Sequence, residues 1–188
     1  MPGSTMHLMF AKLINPNGSI KYFTGAIAPD AVRDRYEKDK THFRNMPDRA
    51  HKLMEFAKSL TKSDFNEGMI THLYLDWRWD SCEIQRFADL YGKDWFIPYR
   101  RELSRIGHFY SNNDEWCKHI WRKIYDLPMS EYEPVPSSTD SLLRDFINTA
   151  FESQMEQRDE PKLFCSDEVD EFLKMTALEY PRFIKLIK

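Results

Sequence analysis

The chain has few of the residues that mark disulfide-stabilised, loop-rich or membrane-spanning proteins. Only six of its 188 residues are glycine, and only three are cysteine. The cysteines are far apart and form no CxxC pair, which argues against both a disulfide framework and a thiolate zinc site. No apolar run reaches the roughly 18 residues of a membrane span, and the N-terminus has no recognisable secretion signal. We therefore expect a soluble, cytoplasmic protein without a transmembrane segment, its cysteines reduced: Cys82, Cys117 and Cys165.

An excess of charge of one sign is also missing. The chain carries 27 basic and 30 acidic residues, for a formal net charge of −3. Because the basic residues are scattered, nothing indicates nucleic acid as an electrostatic partner. With 41% hydrophobic and 30% charged residues, the composition is that of an ordinary folded protein. The length suits one domain with a hydrophobic core, so we expect residues 1–188 to form a single domain.

The residues that are abundant, among them Leu, Lys, Glu, Arg and Met, favour helices. Apolar periodicity predicts helices over residues 6–14, part of 31–43, 48–60, 65–91, 99–110, 112–127, 139–157 and from 166 onward, with an interruption at Pro181. Residues 19–30 resemble a connection punctuated by glycine and proline, and residues 128–138 a surface linker. Together these features predict an all-α bundle of six to eight helices around one core.

The stretch THLYLDWRWD, residues 71–80, places a histidine and an aspartate on the apolar side of a predicted helix. At about 100° per residue, His72 and Asp76 lie within about 60° of Met69, on the apolar stripe. A buried carboxylate is costly, on the order of several kcal/mol, unless other partners or a cation offset its charge. His72 and Asp76 can both reach one divalent ion, or they can form a core hydrogen bond across one helical turn.

Three further residues are candidates for the same site. His7 lies on the side of the first predicted helix that carries Phe10, and therefore faces inward. Asp30 ends the segment GAIAPD, and His42 lies in KDKTHF. Helix capping by Asp30 and a helix-terminal position for His42 are the alternatives to a metal-binding role.

Other histidines and charged residues nearby have more ordinary interpretations. Helical wheels place three histidines away from the apolar faces, so we expect them at the solvated surface: His51, His108 and His119. Cations close to Asp30 and His42 are better explained as a solvated helix face than as residues that steer an anionic substrate. They are Arg33, Arg35, Lys38 and Lys40.

Taken in order, four motifs resemble those of the zinc-dependent phospholipase C-like proteins, relatives of the phospholipase C and P1 nuclease superfamily. The motifs are MPGxxxH, GAIAPDA, KDKTHF and THLYLDWRWD, and the resemblance covers about the first 80 residues. It implies a phospholipase C/P1 nuclease-like fold and a metal-dependent hydrolase with a metal site made by His7, Asp30, His42, His72 and Asp76.

The resemblance also implies a chemistry for these residues. Asp76 would bridge to a second ion that also binds His7. The resemblance does not include Asp80, but this carboxylate lies one turn beyond Asp76 and is a possible extra metal ligand. Since the ligands are nitrogen and oxygen without thiolates, one or two Zn²⁺ ions fit, with Mn²⁺, Fe²⁺ or Ni²⁺ possible. A metal-activated water, oriented or deprotonated by Asp30, would attack a phosphodiester or phosphomonoester of a small-molecule or lipid-derived substrate.

Two competing interpretations are considered. The chain has no match to the later histidines of the superfamily, which favours a non-catalytic helical protein with a structural or vestigial metal site, acting as an interaction module. The HD-domain phosphohydrolases need an adjacent His-Asp pair, and the chain contains none. Substrate-binding residues and the oligomeric state are not assigned from the sequence.

Overall fold

The computed structural model describes residues 2–136, 138–155 and 159–187, and this part of the chain contains nine α-helices and no β-strand. The all-α prediction is confirmed, with one helix more than the predicted maximum. Within the described residues, no helix combines the length and the apolar character needed to cross a membrane. The helices are α1 Ser4–Ile14, α2 Ile20–Gly25, α3 Arg35–Thr41, α4 Arg49–Ser59, α5 Asp64–Tyr91, α6 Phe96–Asn113, α7 Glu115–Asp126, α8 Asp140–Met155 and α9 Ser166–Ile187. Three short 3₁₀ helices are Ala28–Asp30, Gly92–Asp94 and Met129–Glu131.

The helix that sequence periodicity missed is α2, within the predicted connection. Its N-terminus is capped by Ser19, whose hydroxyl accepts a hydrogen bond of 3.2 Å from the Tyr22 amide. It packs along α5 so closely that a Cβ atom on Gly25 would lie 2.0 Å from the Phe65 carbonyl oxygen. A Cβ atom on Gly68 would lie 2.1 Å from the Tyr22 carbonyl oxygen. Tertiary packing between two glycine surfaces therefore stabilises a helix too short to form alone.

Prolines interrupt the helices less than their positions predict. Helix α9 continues through Pro181, so the predicted interruption is wrong. Its neighbours Tyr180 and Phe183 are buried in the hydrophobic core, and this packing holds the helix on both sides of the missing hydrogen bond. Helix α6 begins at Phe96, before Pro98 rather than after it. Pro98 then occupies the first turn, where a backbone amide has no partner within the helix.

The described part of the predicted linker is held against the bundle; the prediction covers residues 128–138. Its described part, residues 128–136, contains only the 3₁₀ helix Met129–Glu131, while residue 137 lies outside the described residues. Glu131 forms an ion pair of 2.8 Å with Lys21 of α2, and Glu133 accepts a hydrogen bond of 2.6 Å from the hydroxyl of Ser63, which precedes α5. Helix α8 is described to residue 155, so the predicted end at 157 also lies outside the described residues.

Helices α1 and α5 lie between two hydrophobic clusters and contribute to both. Met6 of α1 belongs to one cluster with Leu73 of α5, whereas Leu8 belongs to the other with Met69. As a result, every residue of α5 from Gly68 to Asp76 is buried, and this part of the helix has no solvated face. Polar side chains on this segment therefore have to find their partners inside the protein.

The expectation for His108 is wrong, because only 1% of its surface is exposed. Helix α6 packs against α1, α7 and α8, and Ser111 donates a hydrogen bond of 3.1 Å to Gln154 of α8. Helix α6 is therefore buried on a second face in addition to its main apolar stripe. A helical wheel drawn from the apolar stripe alone assigns His108 to the solvent side. His51 and His119 are exposed, as predicted.

The close crossing of α2 and α5 leads to a stability prediction. We expect Gly68→Ala to lower the free energy of unfolding by about 2 kcal/mol or more, because the new methyl group meets backbone atoms that cannot move aside. The matched control is Gly107→Ala in α6, whose Cβ would face the flexible end of the Gln154 side chain at 3.2 Å. Denaturant unfolding of both variants measures the difference, and equal destabilisation would contradict the account of the crossing.

Candidate metal centre

The five predicted metal-binding residues come from four segments of the chain and meet inside the bundle. His7 lies on α1, Asp30 ends a 3₁₀ helix, His42 follows α3 as its C-terminal cap, and His72 and Asp76 lie on α5. The three histidines are 1% exposed and Asp76 is fully buried. Asp30 has the most solvent contact of the five, with 8% of its side chain exposed.

Backbone carbonyls set the orientation of two imidazole rings. Nδ1 of His72 lies 2.8 Å from the carbonyl oxygen of Ala26, and Nδ1 of His42 lies 2.8 Å from the carbonyl oxygen of Lys38. Because a carbonyl oxygen can only accept a hydrogen bond, each Nδ1 carries a proton and donates it. Each Nε2 therefore points to the centre, free to bind a cation, in the orientation that metal-binding histidines adopt.

Four side-chain atoms surround one point at distances typical of a tetrahedral metal site. Nε2 of His42 lies 3.1 Å from Nε2 of His72. It lies 3.2 Å from Oδ1 of Asp30 and from Oδ2 of Asp76, while Nε2 of His72 lies 3.5 Å from each of these oxygens. All four atoms lie within 4.8 Å of one another. Ligand atoms about 2.0–2.1 Å from a tetrahedral zinc ion are about 3.3 Å apart, so the four can hold an ion with little rearrangement.

Buried polar atoms at this point lack hydrogen bonds that would compensate their charge. Neither carboxylate oxygen of Asp76 has a hydrogen-bond partner within the described residues. The nitrogens of His42 and His72 that face each other, 3.1 Å apart, also repel unless a proton or a metal ion lies between them. A buried carboxylate without compensation is strongly unfavourable. Both the geometry and the chemistry of the donor set thus fit a divalent cation with nitrogen and oxygen ligands.

The pKa values of the buried groups show that the site favours positive charge. Burial lowers the pKa of His7 to about 4, which keeps this ring neutral at pH 7. Burial also opposes a charge on His72, but Asp30 and Asp76 outweigh burial and raise the pKa of His72 to about 9. Burial alone would raise the pKa of Asp76, yet the neighbouring histidines hold it well below its usual range. The ionised carboxylates thus favour a proton on His72. A metal ion can supply the same positive charge in place of that proton.

His7 lies beside the group of four rather than within it. Its ring stacks on the ring of His72 with centroids 3.6 Å apart and planes inclined by 11°. Nε2 of His7 lies 3.3 Å from Oδ1 of Asp76, whereas the other oxygen of Asp76 faces His42 and His72. Asp76 thus directs one oxygen to each side, as a bridging carboxylate would. The second ion next to His7 stays a prediction.

Asp30 is better placed to bind a cation than to accept a proton. Its Oδ1 faces the group of four and lies 2.7 Å from Nζ of Lys38. Burial alone would raise the pKa of Asp30, but Lys38 and His72 hold it well below its usual range, which makes the carboxylate a weak base. This favours the metal-ligand role over the predicted role in water activation. The alternative as a helix cap is wrong, because Asp34 caps α3 by accepting a hydrogen bond from the Glu37 amide.

Asp80 lies one turn beyond Asp76, but its carboxylate binds arginines. Nε of Arg44 and Nη1 of Arg49 lie 3.0 and 2.9 Å from its Oδ2. Arg49 also donates a hydrogen bond of 2.9 Å from its Nε to the carbonyl oxygen of His42. Asp80 is not part of the group of four, so the geometry gives no support to its predicted role as an extra ligand. Its contacts instead connect α5 to the backbone that carries His42.

A cavity of about 850 Å³ adjoins the centre on the side of Asp30. This volume is in the range of small-molecule binding sites, and the wall combines charged and aromatic residues. Lys38 is one of the wall residues, and only 22% of its side chain is exposed. The prediction that Lys38 belongs to a solvated helix face is therefore wrong. Periodicity could not identify Lys38, because its contact with Asp30 depends on the turn between the two residues. The wall includes Asp30, Arg35, Lys38, Arg44, Arg49, Asp80, Trp95 and Tyr99.

Removal of a candidate ligand tests whether the centre binds metal. We expect Asp76→Asn to weaken the affinity for Zn²⁺ by at least about a hundredfold, because even partners outside the metal's own ligands contribute about ten- to a hundredfold. Elemental analysis after dialysis measures the bound metal, and Zn²⁺ should raise the melting temperature of the unsubstituted protein only.

Two further substitutions serve as controls for this measurement. His51→Ala should leave the metal content unchanged, since His51 is exposed and lies 3.1 Å from Glu55 on its own helix. His7→Ala should retain one ion, because His7 lies outside the group of four. Equal metal content in the Asp76→Asn variant and the unsubstituted protein would show that the ion binds elsewhere.

Comparison with known proteins assigns no family to the chain. No protein-family model, no curated protein and no solved structure matches it significantly. The phospholipase C-like resemblance and the corresponding fold therefore stay predictions. Because one fold supports many activities, a functional conclusion has to be drawn from the chemistry of the site itself.

Proposed function

We propose that the protein is a metal-dependent hydrolase that acts on a phosphate ester. The observation that carries this proposal is the position of Asp30, whose oxygen belongs to the group of four and whose side chain also lines the large cavity. A cation held by this group would therefore adjoin a space large enough for a small substrate. Basic side chains on the same wall suit a negatively charged substrate.

Each part of the site has a task in this proposal. A divalent ion, when bound, supplies positive charge for the phosphate and lowers the pKa of a water molecule. His42, His72 and Asp76 hold the ion, and the carbonyl groups of Ala26 and Lys38 keep the imidazole rings in place. The full burial of Asp76 excludes water from the inner side, so that substrate approaches from the cavity.

The sequence motifs support the same proposal. The order of the candidate ligands along the chain resembles that of the zinc-dependent phospholipase C-like proteins, and we propose that the chain is related to them. Zn²⁺ is the favoured ion because all candidate ligands are nitrogen or oxygen atoms; Mn²⁺, Fe²⁺ and Ni²⁺ have the same preferences in part. We propose one ion in the group of four and a second next to His7 and Asp76. The substrate is a small or lipid-derived phosphoester.

A purely structural metal site is the second candidate, and one observation favours it. Three of the four candidate ligands, His42, His72 and Asp76, have fully buried side chains. Four protein ligands without an open position are typical of structural zinc sites. On this interpretation the ion stabilises the bundle, and the helices act as an interaction module.

Hydrolysis of two chromogenic esters distinguishes the two candidates. With Zn²⁺ or Mn²⁺ bound, we expect the protein to hydrolyse p-nitrophenyl phosphate or bis-p-nitrophenyl phosphate, because the ion adjoins the open cavity. A chelator and the Asp76→Asn substitution should each abolish the activity, whereas His51→Ala should preserve it. A metal-loaded protein that is stabilised by the ion but hydrolyses neither ester would support the structural role and contradict the hydrolase.

A further inference from the structure

Lys38 occupies the boundary between the candidate metal centre and the cavity. Its Nζ lies 2.7 Å from Oδ1 of Asp30, the oxygen that also lies 3.2 Å from His42 Nε2 and 3.5 Å from His72 Nε2. Through its carbonyl group, Lys38 also accepts the hydrogen bond that orients the His42 ring. One residue thus places an ammonium group beside the centre and fixes one of its ligands.

The cavity has more cationic side chains than the nearby carboxylates compensate. Five cations and four carboxylates line it, and one of these carboxylates, Asp30, belongs to the metal centre. Asp80 is shared by Arg44 and Arg49. When a metal ion binds Asp30, the negative charge of this carboxylate no longer fully balances the positive charge of the Lys38 ammonium group. Positive charge then faces the cavity, which favours an anionic occupant. The five cations are Arg35, Lys38, Arg44, Arg49 and Arg100.

We propose that Lys38 is a phosphate-binding residue and that it makes the centre prefer phosphomonoesters to phosphodiesters. This inference rests on the proposed function, and it narrows the substrate class. A terminal phosphate carries about −1.5 to −2 charge near pH 7 and offers three acceptor oxygens, whereas a diester carries a single charge. An ammonium group beside the ion stabilises the additional charge by a charge-assisted hydrogen bond. The cavity accommodates the organic part of the ester.

The position of Lys38 also predicts effects of opposite sign on two ligands. Its ammonium group competes with a metal ion for Oδ1 of Asp30, since both are cations that bind the same oxygen. Removal of the ammonium group therefore strengthens metal binding and weakens phosphate binding. A residue that only maintained the local structure would, when replaced, weaken both.

The experiment compares Lys38→Met with a matched variant on the same helix. Lys40→Met is the control, because Lys40 is exposed and does not line this cavity. Calorimetric titration of the zinc-loaded proteins with inorganic phosphate should show about ten- to a hundredfold weaker binding for Lys38→Met, which is the loss of one charge-assisted hydrogen bond. Competition with a chelating dye should show a zinc affinity tighter than that of the unsubstituted protein, since the ammonium group no longer competes for Oδ1 of Asp30.

Kinetics supply a second readout for the same variants. The ratio of kcat/KM for p-nitrophenyl phosphate to that for bis-p-nitrophenyl phosphate should fall at least about tenfold in Lys38→Met, stay near its original value in Lys40→Met, and recover in part in Lys38→Arg, which keeps the charge. Melting temperatures of the variants establish that each is folded.

The outcomes separate this inference from the proposed function. Unchanged phosphate affinity in Lys38→Met, or weaker binding of both zinc and phosphate, would overturn the role of Lys38. If the zinc-loaded protein hydrolyses neither ester, the hydrolase proposal and the monoester preference fail, while the phosphate titration still decides whether Lys38 binds phosphate. A protein that binds no metal would overturn both proposals.

Discussion

The structure depends on the compensation of negative charge at one buried point. Two carboxylates, Asp30 and Asp76, face two imidazole nitrogens whose protons are held on the opposite side of each ring. Carboxylates in such an environment need positive charge, and a proton on His72 or a metal ion can supply it. A metal ion would satisfy all four atoms at once, because the five distances measured from the two imidazole nitrogens, 3.1–3.5 Å, correspond to the edges of a tetrahedral site. The fold and the candidate centre are therefore energetically coupled.

Parts of the bundle outside the centre position its candidate ligands. The glycine contact between α2 and α5 brings the Ala26 carbonyl to His72. On the other side, Arg49 connects Asp80 of α5 to the carbonyl of His42. The centre thus has one ligand oriented through α2 and one through the chain between α3 and α4, while α5 carries the remaining pair.

Helices with a clear apolar period, such as α5 and α7, were predictable from the sequence, and so was the all-α class. Helix α2 was not predictable from local pattern, because it exists through its packing against α5. His108 was misplaced for a related reason, since a second buried face of α6 comes only from the tertiary arrangement. Within the site, the inward direction of His7, His72 and Asp76 followed from periodicity.

The convergence of Asp30 and His42 on α5 was suggested by the order of the motifs, not by periodicity. For His72 and Asp76 the helical wheel did not separate a buried face from an exposed face, because every residue from Gly68 to Asp76 is buried. Lys38 was identified in the sequence only as one of four cations that could steer an anionic substrate, because its contact with Asp30 depends on the turn between the two residues. The structure therefore adds the groups around the candidate ligands. The carbonyls of Ala26 and Lys38 orient the imidazole rings, and the ammonium group of Lys38 places positive charge beside the cavity.

X-ray absorption spectroscopy of the zinc-loaded protein tests the central claim most directly. For the ion in the group of four, the account predicts two imidazole nitrogens and carboxylate oxygens at about 2.0–2.2 Å and no sulfur ligand. The imidazole contribution should fall in a variant that lacks both His42 and His72, since His7 is then the one candidate imidazole ligand left. A spectrum with thiolate ligands, or one unchanged in that variant, would contradict the account.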